Sequence, residues 1–439
     1  MYSTKNTKVA DCFDSSESGQ RTPGRGAERY AGGAEGDSAA PSAAPLGIYG
    51  KYPAAAQGQR REKYQLQNAA RKLRQGFPVT KCLRWAIPNS HIKIIHHPEF
   101  GKAGYAGLET CGSVWECPVC ASKISERRRV EVQTAIAMHK AKGGEVLLLT
   151  LTSPHKYGDS LAVLLAAQAK ALDGFRKNRP GRRFFESLGT VGTIRALEVL
   201  DGTPNTTGNN GWHPHFHILL FVAQGVDMEK AHRTAFGIWA DECMKAGLGI
   251  PSFKHGVDLR DGSYAEKYVS KWGLENEMTK GHIKKGGKRG RSPFDLLRCY
   301  NEGDKQAGAL FVEYATHFKG KRQLVWSNGL KALFAIEEAT DIEVAEREEE
   351  RAELGAELSR DDWKIILNFD VRAEILEAFE NGGAFEVAYC LAMLREEKEL
   401  TGKAAQVKAD LAELQEFMGW TPERLAEFLA WQLEDAACR

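Results

Sequence analysis

The sequence predicts an α+β sandwich with the segment His213–Val222 as its central strand. Three observations carry that prediction. Strand-like and helix-like patterns alternate from about residue 145 to 272. The stretch Asp201–Trp212 (DGTPNTTGNNGW) is turn chemistry throughout and joins two strands as a hairpin. His213-Pro214-His215-Phe216-His217 then runs straight into the apolar run Ile218–Val222. In a strand, alternate side chains share a face, so the three histidines lie on one side and Phe216, Ile218 and Leu220 on the other. Two neighbouring imidazoles on one face can chelate a cation.

Composition sets the frame. The chain has 439 residues, 42% of them hydrophobic and 27% charged, enough for two or three globular domains. The net charge of +2 hides a split: from Asp341 onward there are 25 acidic and 11 basic residues, a net of −14, which leaves +16 on the first 340. A basic body suits a polyanion such as DNA, although solvated charge would give the same count. No apolar stretch reaches the roughly 18 residues that span a membrane, and none opens the chain as a signal peptide. The expected location is cytoplasmic, with no membrane partner, and the nine cysteines are expected to be reduced.

Residues 1–58 are rich in Gly, Ala, Ser and charge, and are expected to be disordered. Residues 59–142 form a basic, Cys-rich region. Cys117-x-x-Cys120 has the spacing of a zinc knuckle, and Cys111 and Cys82 can complete a four-cysteine structural site. His96 or His97 would substitute for Cys82, and a redox pair or unrelated buried thiols would also fit the spacing. The helix expected over residues 122–142 is basic at Lys123, Arg127, Arg128 and Arg129, which are candidate DNA contacts. Gly143-Gly144 ends it.

Residues 145–152 (EVLLLTLT) read as a buried strand leaving into Ser153-Pro154-His155. A helix follows over 160–178, with Lys170, Arg176 and Lys177 on its polar side, and a second strand over 190–200. Glu198 interrupts that otherwise apolar strand, and a lone acid there costs free energy unless a charge lies opposite. A cation on His215 and His217 supplies one. An amphipathic helix is expected over 227–246 and a strand over 253–259. Ser263 then reads as a helix N-cap with Glu266 in the capping-box position. On that helix Tyr264 and Tyr268 are i and i+4, with Lys271 three residues further. Residues 279–293 read as a flexible basic loop, whose Lys284, Lys285, Lys288 and Arg289 suit backbone phosphates. A basic, aromatic segment over 301–339 and an acidic helical region over 340–439 complete the chain.

These motifs together resemble the rolling-circle replication initiators of the HUH endonuclease superfamily. LLLTLTSPH (147–155) is similar to their first motif, HPHFHILLF (213–221) to their His-hydrophobe-His motif, and YAEKYVSK (264–271) to their tyrosine motif. The resemblance implies an RRM/ferredoxin-like HUH endonuclease domain over 143–300, preceded by the zinc region and followed by the α-helical one. It makes His215, His217 and Glu198 ligands of a divalent cation, Mg²⁺ or Mn²⁺, with His213 a neighbour outside the set. Tyr268 becomes the nucleophile, Tyr264 a second nucleophile as in two-tyrosine phage-like members, and Lys271 their helper. Many plasmid initiators carry an acid at the Tyr264 position, so this chain departs from them.

The activity so implied is nicking of one strand at a plasmid origin, with a 5′-phosphotyrosine link and a 3′-hydroxyl primer, and strand joining at termination. The partners are origin DNA and a host helicase and polymerase, since no Walker-type motif occurs here; no small-molecule substrate is expected. A two-tyrosine transposase would use the same chemistry, a conjugative relaxase usually has the reverse motif order, and a non-catalytic zinc protein that binds DNA is the rival of another class.

Overall fold

The computed structural model describes residues 54–97, 102–202, 211–263, 290–346, 352–419 and 421–424. Helix α1 (Ala54–Leu73) leads through a single 3₁₀ turn at Pro78–Thr80 to strands β1 (Ile92–His97) and β2 (Lys102–Ala106). These two strands pair as an antiparallel hairpin. Helix α2 (Pro118–Ala141) starts inside the Cys-x-x-Cys segment, with Cys117 at its N-cap and Pro118 in the first turn, where proline lacks only an N–H the helix would not use.

The central unit follows as β3 (Glu145–Thr152), α3 (Leu161–Lys177), α4 (Arg179–Ser187), β4 (Gly192–Asp201), β5 (Trp212–Val222), α5 (Met228–Lys245) and β6 (Val257–Arg260). The sheet order is β6-β3-β5-β4, extended beyond β4 by β7 (Leu324–Trp326), and every pairing is antiparallel. A β-α-β-β-α-β chain in that order is the RRM/ferredoxin-like arrangement. The long β4–β5 hairpin reads as expected from the turn-rich link. The strand expected over 253–259 is shorter: Phe253–His255 form a turn closed by Ser252, and pairing begins at Val257.

Period-2 alternation divides this sheet between two covers. Leu147, Leu149, Leu151, Phe216, Ile218 and Leu220 join one core with Leu165 and Phe175 of α3 and Trp239 of α5. Val146, Leu148, Ile194, Leu219 and Phe221 join a second with Val132, Ala135 and Ile136 of α2. Beyond these residues, toward the other end of the second face, the alternate positions become polar: Thr150, Thr152, Glu198, His215 and His217.

Helices α6 (Pro293–Asn301) and α7 (Lys305–Phe318) follow, then α8 (Leu330–Leu333) and α9 (Asp341–Glu346). The acidic C-terminal region is helical in α10 (Arg360–Asn368) and α11 (Arg372–Met418), with α11 broken at Gly383, where φ is +63°. It also contains a strand the charge pattern did not announce. Strand β8 (Glu353–Leu358) pairs antiparallel with β1 and completes a three-stranded sheet, β2-β1-β8. No helix among the described residues is long and apolar enough to cross a membrane.

Candidate metal centres

The β4–β5 ladder sets Glu198 directly opposite His215, while β3 sets Thr150 opposite His217 and Thr152 opposite His215. The Nε2 atoms of His215 and His217 each lie 3.5 Å from Glu198 Oε2. The three ligand atoms are all within 4.8 Å of one another. The Nδ1 atoms are engaged elsewhere. That of His215 is 3.1 Å from the His213 carbonyl oxygen, which only accepts, so Nδ1 carries the proton and donates. That of His217 is 2.9 Å from Thr150 Oγ1. Both imidazoles therefore aim Nε2 at the carboxylate, and in His215 the proton on Nδ1 leaves Nε2 with the lone pair a metal ligand needs. Burial would push the Glu198 carboxyl up, but the His215 and His217 rings beside it outweigh that and hold the group well below the usual carboxylate range. A charged acid facing two imidazoles suits a divalent cation with mixed nitrogen and oxygen ligands.

His213 is not in this convergent group. Its ring stacks on His215, with centroids 5.0 Å apart, and its Nδ1 lies 2.5 Å from His155 Nε2. Burial, and then the neighbours His215, His155 and His217, push it down to about 3, so it is neutral. The end of the site is pinned from behind. Gln168 of α3, fully buried, donates 2.7 Å bonds to Pro214 O and Ser153 Oγ, and Trp239 Nε1 donates to Thr152 O. Sequence reasoning gave no role to Thr150, His155 or Gln168, although Thr150 and His155 both lie in the first motif, LLLTLTSPH.

The second group is Cys82, Cys111, Cys117 and Cys120. Sulfur separations are 3.7 Å for Cys82–Cys117, 3.5 Å for Cys82–Cys120 and 3.7 Å for Cys111–Cys120. Four thiolates about 2.3 Å from one tetrahedral ion lie about 3.8 Å apart, so the cage has the size zinc requires. Cys82 occupies the fourth corner, while His96 packs against the Phe379 ring. Gly112, next to Cys111, has φ +57°, and a Cβ there would meet Ile342 at 2.5 Å. Hydrogen bonds to Cys117, Cys120 and Cys82, together with burial, push the Cys111 thiol up. A cation would lift this competition between packed thiols. Gln67, fully buried in α1, donates to Cys117 Sγ at 3.3 Å and accepts from Arg372 Nη1 at 2.8 Å.

The expected DNA contacts on α2 are partly occupied. Arg128 bonds Glu131, Asp341 and the Ala339 carbonyl oxygen. Arg127 lies 3.8 Å from Glu131, and Arg129 pairs with Glu126. Lys123 is half-buried. Tyr264, Tyr268, Lys271, Lys284, Lys285, Lys288 and Arg289 lie outside the described residues. The described chain reaches Ser263, where the helix already begins at Gly262, and the cap position read for Ser263 belongs to Asp261, whose Oδ1 accepts from Ser263 N at 2.9 Å.

Comparison with known proteins now bears on this geometry. A family model described as "Replication protein" matches residues 106–232, from β2 through Cys111, Cys117 and Cys120 to β5 and the start of α5. Residues 106–232 thus resemble a replication-protein domain. "Protein rep" of Streptomyces lividans is 24% identical over 365 residues, 65% of this chain and 78% of its own length. "Neomycin resistance protein" of Streptomyces cyanogenus is 30% identical over 157 residues, 31% of this chain and 36% of its own. No solved structure matches. The resemblance to plasmid replication initiators is thus borne out, and both metal-capable groups fall wholly or mainly within the replication-protein domain.

Proposed function

We propose that this chain initiates rolling-circle replication of a plasmid by cutting one DNA strand at the origin with Tyr268. The observation that carries this reading is the convergence of Glu198, His215 and His217 at the open end of the sheet, inside the replication-protein domain. A divalent cation held by these three residues would withdraw charge from a nonbridging phosphate oxygen. His215 and His217 keep Nε2 turned to the site through their Nδ1 partners, and Glu198 supplies the negative charge. The Tyr268 oxygen attacks phosphorus in line, the bond to the 3′-oxygen breaks, and the proton lost by the phenol is matched by one gained at the new 3′-hydroxyl. The 5′-phosphotyrosine keeps the phosphodiester energy for strand joining, in which Tyr264 is the second nucleophile. Lys271 favours the phenolate or holds the phosphate. Cys82, Cys111, Cys117 and Cys120 hold a structural Zn²⁺, and a host helicase and polymerase extend the primer.

The test is the covalent adduct. The full chain incubated with Mn²⁺ and an oligonucleotide from its own origin should give a DNA-linked species on a denaturing gel. Tyr268→Phe should abolish it, whereas an adduct of undiminished yield in that variant would reject Tyr268 as the nucleophile.

A further inference from the structure

The junction of α3 and α4 concentrates positive charge that neither metal centre uses. Arg176 and Lys177 close α3, Arg179, Arg182 and Arg183 open α4, and all five are exposed. Helix α4 buries Gly181 and Phe184 against the body, which turns its arginines outward. Their i, i+3 and i+4 spacing places them on one strip, where like charges repel. Lys177 pairs with Asp173 at 2.7 Å. The four arginines have no ion pair among the described residues, although Glu186 lies exposed on the same helix. Arg195 of β4, half-buried with its guanidinium 5.4 Å from the Phe216 ring, is held below its usual range by burial and then by the charge of Arg176. Positive charge is therefore crowded here, with Asp173 and Glu186 as the acids beside it.

We propose that Arg176, Arg179, Arg182 and Arg183 form a binding strip for the phosphate backbone of duplex DNA, separate from the strand-cutting centre. The proposal rests on the reading of the chain as an origin-cutting initiator. Helices α3 and α4 pack on the Phe216–Leu220 side of the sheet, and Glu198, His215 and His217 face the other side. The nicked strand and this strip are thus on opposite faces, and the partner of the strip is flanking DNA. Its chemistry favours a duplex over a single strand. Non-specific single-strand sites interleave cations with exposed aromatic platforms. Here Phe184 is buried and Phe185 half-buried, leaving only cations, which match the closely spaced phosphates of a duplex.

The test uses the full chain with Arg176, Arg179, Arg182 and Arg183 all changed to Gln, and a second variant with all four changed to Lys. Binding to a fluorescent duplex of arbitrary sequence is followed by anisotropy across a salt series. Four lost phosphate contacts should flatten the slope of log K against log salt by about 3 to 4 and weaken binding at low salt by about 100-fold, with the Lys variant close to the parent. Mn²⁺ affinity, and cleavage of a single-stranded oligonucleotide from the chain's own origin, should be unchanged in both variants. A Gln variant with the parent's duplex affinity and salt slope overturns the strip, as does one that loses Mn²⁺ binding in parallel with DNA binding. If the parent chain binds duplex but cuts no strand, the nicking reading fails, while the binding arm still judges the strip.

Discussion

Thr150 decides how His217 faces Glu198. Its hydroxyl, 2.9 Å from Nδ1, is the group that leaves Nε2 turned toward the carboxylate. Thr150→Val keeps the β-branched shape the strand packs but removes the partner. Loss of such a supporting hydrogen bond typically weakens metal binding by about 10- to 100-fold. Titration of the variant with Mn²⁺, followed by the electron spin resonance of the free ion, should show that loss with the fold intact. Unchanged affinity would mean that packing alone orients the ring. The convergence of Glu198, His215 and His217 was legible in part: alternation puts all three histidines on one face and a hairpin brings the strand of Glu198 beside them, but only the resemblance to the initiators set His213 apart. His155 was legible only as the last residue of the first motif, without its partner, and Gln168 was not legible. Each acts on a partner far along the chain, His213 and Pro214, and no local pattern records such a contact.

At the scale of elements, the start of α11 stores a pH-dependent cost. Glu377 is 8% exposed and its Oε1 has no hydrogen-bond partner among the described residues. Burial, aided by Glu374 and Glu380 and opposed by Arg60 and Arg61, pushes its carboxyl up to about 7. The unfolded chain releases that proton near the ordinary glutamate value, about 4.3, so between the two values the folded state binds more protons. Stability contributed at this position therefore falls as pH rises from about 4.3 to 7 and stays low above. Glu377→Gln removes the charge and should raise the unfolding free energy from urea titration at pH 8 by on the order of 2 kcal/mol, while changing it little at pH 4. A variant no more stable than the parent at pH 8 would show that solvent already relieves this carboxylate. The same region shows why β8 escaped prediction. Glu353 and Glu357 flank Leu354, Ala356 and Leu358, a short alternation inside an acidic, helix-like composition. What makes it a strand is β1, over 250 residues earlier, whose free edge it fills.

Across the whole molecule, the four-cysteine cage is tied to the C-terminal helices through one buried relay. Cys117 accepts from Gln67 of α1, and Gln67 accepts from Arg372 at the start of α11. Arg372 is 1% exposed; it also donates to Asn68 Oδ1 at 2.9 Å and to the Leu83 carbonyl oxygen beside Cys82. Asn68 in turn donates to Asp370 at 2.7 Å. A metal bound at the cage would hold Cys117 as a thiolate, the stronger acceptor for Gln67, and so tighten every later bond in the relay. Changing Cys117 and Cys120 to Ser should accordingly remove one zinc per chain and loosen more than the cysteine loops. Amide hydrogen exchange should quicken in α1 and in the first turns of α11, while the amides of β3 and β5, sealed by α2, α3 and α5, keep the parent's protection. Arg372→Met, which leaves all four cysteines in place, should reproduce the faster exchange at α11 and cost about 3 kcal/mol in urea, since Gln67, Asn68 and the Leu83 carbonyl oxygen each lose a buried partner. Exchange that quickens only around residues 82 to 120 in the cysteine variant would confine the metal to a local staple. Quickening at both ends of the relay would make the cage the joint through which the N-terminal and C-terminal segments hold one another.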